Sequence, residues 1–227
     1  MPIIPTRRSI FIHVPKTSGT SIMKALAHAD IGCDLMGRGL WDILATRSDA
    51  ATLVADVRAT FPLGLLSAFP QQHLPARFLQ RIIPCDTWDS YWKFAVVRNP
   101  WDLVVSTYHY QKSMYDRAVS PLLDHDFASV IHHCRSFDDF ARLYPAIRSD
   151  MTSLLEVDGT YAIDFTARIE TLQDDIATIS DRLGVPLLLP RHNESDHSHY
   201  REYYSRETKQ IVANHFARDI DRFGYRF

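Results

Sequence analysis

The chain has 227 residues, enough for one large α/β domain or two small ones, and its 46% hydrophobic and 23% charged content is that of an ordinary globular protein with a sizeable core. A formal net charge of -2 and a pI near 6.6 exclude a global basic field of the kind that gathers nucleic acid or anionic membrane. Cys33, Cys85 and Cys134 form neither a disulfide framework nor a zinc spacing, and Met1 to Arg8 leads into no apolar stretch long enough for a signal peptide or a membrane span, so the composition predicts a cytoplasmic protein.

In chain order, Ser9 to Val14 reads as a strand. It runs into Pro15-Lys16-Thr17-Ser18-Gly19-Thr20-Ser21 and then an amphipathic helix, Ile22 to Ala29. Amides at a helix N-terminus lack intrahelical acceptors, and the helix dipole adds partial positive charge. One Lys, one Gly and four hydroxyl residues beside them suit a phosphate-like anion. The alternative is a βα turn rich in Ser and Thr because those residues cap helices. The order is not that of a Walker A loop, where Lys follows the second Gly.

Asp49 to Phe61 has helical spacing and stops at Pro62, and Leu63 to Phe69 suits a short buried strand. Pro75 to Ile83 reads as a helix, and Tyr91 to Val97 as a second firm strand. Asn99-Pro100 is an N-cap followed by Pro at the first helical position, with the helix running to about Met114. Tyr115 to His133 reads as a lid or insertion. Ser136 opens a helix with Asp139 in the capping-box position. Tyr161 to Ile169 is predicted as a strand, Thr171 to Leu183 as a helix stopped by Gly184, and Val185 to Leu189 as strand or buried coil. Arg191 to Tyr204 is a polar loop, and Ser205 caps a last helix with Ile211, Val212, His215, Phe216 and Ile220 on one face. Alternating strands and helices predict an α/β fold with a mainly parallel sheet, and the absence of linkers or repeats predicts one domain over residues 1–227.

The Tyr91 to Val97 strand repeats the logic of the first. Arg98 stands at its carboxyl end, where ligands of open α/β sheets bind, and can hold a phosphate bidentately. Ser106, in the second turn of the following helix, offers a hydroxyl. A local alternative pairs Arg98 with Asp102. Two separate anion positions suit a ligand with two distant anionic groups.

Phe11 to Ser21 resembles the 5′-phosphosulfate loop of sulfotransferases that use PAPS (3′-phosphoadenosine-5′-phosphosulfate). Val97 to Asp102, with Ser106-Thr107-Tyr108, resembles their 3′-phosphate motif. The likeness is to the branch holding Golgi carbohydrate sulfotransferases and soluble bacterial relatives, and Arg168 to Leu172 and Ala217 to Tyr225 are similar to that branch as well. The resemblance spans nearly the whole chain. It implies a three-layer, P-loop-like α/β fold and transfer of a sulfuryl group from PAPS to a hydroxyl acceptor, a carbohydrate or glycoconjugate, leaving PAP. It assigns Lys16 to the bridging oxygen and sulfonate, Thr17, Gly19, Thr20 and Ser21 to the 5′-phosphate, Ser18 to the same cofactor-binding loop, and Arg98 and Ser106 to the 3′-phosphate. No metal is required, and neither a nucleic acid partner nor a membrane span is expected.

For a general base the resemblance points to His73, in Gln71-Gln72-His73-Leu74-Pro75, where cytosolic sulfotransferases carry Lys-Thr-His-Leu-Pro. Gln71 replaces that Lys, which removes a second cation from the leaving group. A capping or core role is the alternative for His73, and Asp34 and Asp86 are weaker candidates for the base. His132, His133, Cys134, His192, His197 and His199 are metal-ligating types without a zinc spacing. Two other functions stay open at this level: a nucleotide-dependent phosphotransferase on a related fold, and a non-catalytic relative that binds PAP.

Overall fold

A computed structural model of the chain describes residues 3–31, 73–116, 134–189 and 198–227, together with 48, 49, 51, 52 and 55. The elements run β1 (Ile3–Ile4), β2 (Ser9–Ile12), α1 (Gly19–His28), α2 (Ala76–Ile82), α3 (Cys85–Ser90), β3 (Trp92–Val97), α4 (Pro100–Asp116), α5 (Phe137–Ile147), α6 (Met151–Leu155), β4 (Glu156–Val157), β5 (Thr160–Tyr161), β6 (Phe165–Arg168), α7 (Leu172–Leu183), α8 (Arg206–His215) and α9 (Ala217–Phe223). The strand expected over 63–69, nearly all of the helix expected over 49–61, the lid beyond residue 116, and Asp34, Gln71, His132, His133, His192 and His197 lie outside the described residues.

The fold is α/β, with a mixed sheet of mostly parallel strands flanked by helices. The strand order is β1-β2-β3-β6: β1 runs antiparallel to β2, and β2, β3 and β6 are parallel. The register sets Ile12 beside Ala95 and Val97 beside Arg168. β2 therefore ends at Ile12 rather than Val14, because its ladder with β3 ends there and the Val14 carbonyl accepts from Thr17 Oγ1 at 2.8 Å.

The chain divides into two compact units. The first comprises Met1–Val54, Gln71–Arg98 and Leu154–Glu194, and holds the four-stranded sheet. On one face of that sheet Phe11, Phe94, Val96 and Ala167 pack with Ile22, Ala25 and Leu26 of α1 and Ile176, Ile179 and Leu183 of α7, all buried. Gly184 ends α7 at φ 66°, the left-handed conformation that carries no Cβ penalty for glycine. Lys93 is buried in β3 because its ammonium donates to the carbonyls of Trp88 at 3.0 Å and Tyr91 at 2.7 Å.

The second unit comprises Ala55–Pro70, Asn99–Ser153 and Ser195–Phe227. Asn99 caps α4 through Oδ1, which accepts from the Trp101 amide at 3.1 Å, and its Nδ2 donates to the Arg226 carbonyl at 2.9 Å. Ser136 and Asp139 form the expected capping box at α5. Ser205 caps α8, but the last helix divides at Phe216 into α8 and α9, and Asp219 is buried on the face expected to be apolar.

Candidate anion-binding and proton-accepting site

β2 and β3 are parallel neighbours, so the segments leaving their carboxyl ends share one edge of the sheet. Lys16 stands four residues beyond Ile12, and Arg98 stands one residue beyond Val97. The two meet there, with Arg98 Nη1 donating to the Lys16 carbonyl at 3.2 Å.

The loop between β2 and α1 has an alternating backbone. Lys16 (φ 63°) and Ser18 (φ 59°) are both left-handed, whereas Thr17 between them is not. Left-handed residues alternating with ordinary ones turn successive amides to the same side, which makes a concave anion cradle. Thr17 is fully buried, and its hydroxyl is spent on the Val14 carbonyl, holding the loop closed. Ser18 gives α1 no side-chain cap. The first intrahelical bonds are donated by Ser21 and Ile22 to the Ser18 carbonyl, so Gly19 and Thr20 precede them. The hydroxyl-rich turn is thus not explained by self-capping. Thr20 is exposed, Ser18 half-buried and Ser21 buried.

The electrostatics of the loop are those of two neighbouring cations. Burial, and then the guanidinium of Arg98, push the Lys16 ammonium down from its ordinary value to about 8. Two cations held against each other in a partly desolvated loop are stabilised by an anion placed between them. The donor set of two cationic side chains, helix-start amides and hydroxyls suits a phosphate or sulfonate.

His73 lies just before α2 and is half-buried. The structure brings it to the strand that delivers the loop: its ring lies 4.2 Å, centroid to centroid, from the ring of His13. His73 Nδ1 is 3.1 Å from the His13 carbonyl oxygen. A carbonyl only accepts, so Nδ1 carries the hydrogen and Nε2 holds the lone pair of the neutral ring.

Sequence reasoning passed over His13. It continues the face of β2 that carries Phe11, and its ring stacks on Phe11 at 5.6 Å, which stacks in turn on Phe94 at 5.0 Å. The signal was present, a polar ring two residues after Phe11 in an otherwise apolar strand. Arg168 was quoted only within a motif, and the register now sets it at the carboxyl end of β6, beside Val97.

Ser106 belongs to the second unit, on α4, and is buried. Asp86 lies in α3 and is exposed. A shallow cavity of about 320 Å³ opens at the other end of the sheet, among Thr6, Arg7, Arg8, Ser90, Asp181 and Arg182. It lies at the amino ends of β2 and β3, away from the Lys16 loop, and three arginines line it with Asp181. Among the described residues no group of three or more His, Cys, Asp or Glu is placed to hold a metal ion, and no helix is long and apolar enough to cross a membrane. No family model and no curated protein matches the chain.

Proposed function

We propose that the chain is a PAPS-dependent sulfotransferase with a three-layer, P-loop-like fold, acting on the hydroxyl of a carbohydrate or glycoconjugate. The observation that carries this reading is the pairing of Lys16 and Arg98 at the carboxyl ends of adjacent parallel strands, beside the uncapped start of α1. When bound, PAPS supplies an activated sulfuryl group on a phosphate leaving group. In this reading the amides of Thr17 and Gly19 and the amides and hydroxyls of Ser18, Thr20 and Ser21 hold the 5′-phosphate, while Arg98 holds the 3′-phosphate. The acceptor hydroxyl passes its proton to His73 Nε2 as its oxygen bonds to sulfur. The bond from sulfur to the 5′-phosphate oxygen breaks, and Lys16 offsets the charge left on that oxygen. Catalysis is then positioning together with charge stabilisation.

Thermal unfolding with added nucleotides tests the reading. A ligand raises the melting temperature by its preference for the native state. PAP is expected to raise it far more than AMP or ATP, because only PAP carries both the 5′- and the 3′-phosphate. Equal shifts for PAP and AMP would remove the 3′-phosphate assignment. A labelled-sulfate transfer screen over sugar, lipid and phenol acceptors then decides whether the bound nucleotide is used.

A further inference from the structure

The start of α1 and the candidate base are joined by one buried side chain. A Cβ added at Gly19 would lie 1.7 Å from His13 Nε2 and 1.8 Å from Cδ2, far inside contact distance. The same imidazole also lies against the His73 ring, at a centroid distance of 4.2 Å and an interplanar angle of 55°. His13 is 4% exposed, and its ring stacks on Phe11, which stacks in turn on Phe94. Burial, and then the neighbouring His73, hold its pKa well below the ordinary histidine value, so it packs as a neutral ring. Gly19 is therefore needed for a protein contact, whatever an anion requires of it.

We propose that His13 is a positioning residue. Its imidazole, packed against both the Gly19 backbone and the His73 ring, fixes where His73 stands relative to the anion loop, and its carbonyl fixes the His73 tautomer. The assignment of a catalytic consequence rests on the reading of His73 as proton acceptor. The packing itself does not. An anion that draws the first turn of α1 toward itself moves the imidazole, and so couples occupancy of the loop to the placement of His73. Close-packed interiors transmit such small shifts because no void absorbs them.

Two measurements test the proposal, and neither needs turnover. Nitrogen NMR of the neutral His73 ring is expected to show hydrogen on Nδ1 in the wild type, and a mixture of tautomers in His13→Ala and Gly19→Ala. A wild-type His73 protonated on Nε2 overturns the proposal without any variant. The second measurement is a double-mutant cycle. Gly19→Ala should lower the melting temperature in the wild type, where the new methyl meets the imidazole. The loss should be much smaller in His13→Ala, where the imidazole that the methyl meets is gone. Equal effects in both backgrounds overturn the packing. His13→Asn serves if His13→Ala does not fold.

On the sulfotransferase reading, His13→Asn should also lower kcat by about 10–100-fold, the cost of displacing a reacting group by roughly an ångström, with little change in PAP affinity. A folded His13→Asn enzyme with wild-type kcat overturns the positioning role. If PAP does not bind and no sulfate is transferred, the functional reading falls, whereas the tautomer and the cycle still decide the packing.

Discussion

At the scale of single residues, Lys16 shows a charge held at the expense of stability. Its ammonium is pushed down to about 8 by burial first and by Arg98 second. The folded value lies below the unfolded one, so at pH 7 the charged Lys16 destabilises the fold. That penalty is relieved as pH rises from about 8 towards about 10.5, where the folded state binds fewer protons than the unfolded one. Lys16→Met keeps the apolar stem and removes the charge. It is expected to stabilise the ligand-free protein at pH 7 by about 1–3 kcal/mol in urea titrations, and to abolish most of the stabilisation by PAP. A ligand-free Lys16→Met protein less stable than wild type would show that the ammonium is already compensated. Arg98→Ala should move the Lys16 titration up towards its ordinary value, though only in part, because burial is the larger cause. PAP affinity should fall above pH 8 in the wild type, as the ammonium that attracts the phosphate loses its proton.

At the scale of elements, the most connected buried carboxylate is Asp219, in the first turn of α9. It accepts from the Met151 amide at 2.8 Å, the Thr152 amide at 2.7 Å and the Thr152 hydroxyl at 2.5 Å, and so serves the otherwise orphaned amides at the start of α6. Burial nevertheless raises its pKa to about 6, against the pull of those donors. The folded value lies above the unfolded one, so this group's stabilising contribution is present below about pH 4 and is lost as pH rises through about 6. Asp219→Ala should cost about 3–5 kcal/mol, because it leaves buried donors unsatisfied. Asp219→Asn should cost less and should flatten the pH dependence between 4 and 6 in denaturant titrations. The same residue shows where the sequence was legible and where it was not. Caps and stops are local, so Asn99, Ser136, Gly184 and Ser205 announced their helix ends, and the apolar runs of β2 and β3 announced the parallel pair. Asp219 looked like one of many surface acids, since nothing local says that a distant helix start needs an acceptor. The two-residue strands Glu156–Val157 and Thr160–Tyr161 are too short to show any period. α3 escaped notice because Trp88 is its one buried residue. In the candidate site, Lys16 and Arg98 were readable from their places after strands, whereas the packing of Gly19 and His73 against the His13 ring is visible only in three dimensions.

At the scale of the whole molecule, the charge balance sets what kind of anion the site can select. A net charge of -2 gives no long-range attraction for polyanions, so affinity has to come from the Lys16 and Arg98 pair. At physiological salt, screening acts over about 8 Å, and it weakens partly buried pairs much less than exposed ones. On the proposed reading a small bisphosphate fits that setting because its two phosphates are met locally. A single-stranded nucleic acid would instead need a run of phosphate contacts along a basic groove with stacking platforms. Raising salt from about 0.05 to about 0.5 M should therefore weaken PAP binding by less than about tenfold in calorimetric titrations, as expected for partly buried charges. A single-stranded oligonucleotide at physiological salt should not displace labelled PAP. Displacement by the oligonucleotide, with an affinity falling steeply as salt rises, would instead mean that the two cations form part of an extended basic track. The lowered Lys16 pKa would then mark a nucleic-acid contact rather than the leaving-group end of a sulfuryl donor.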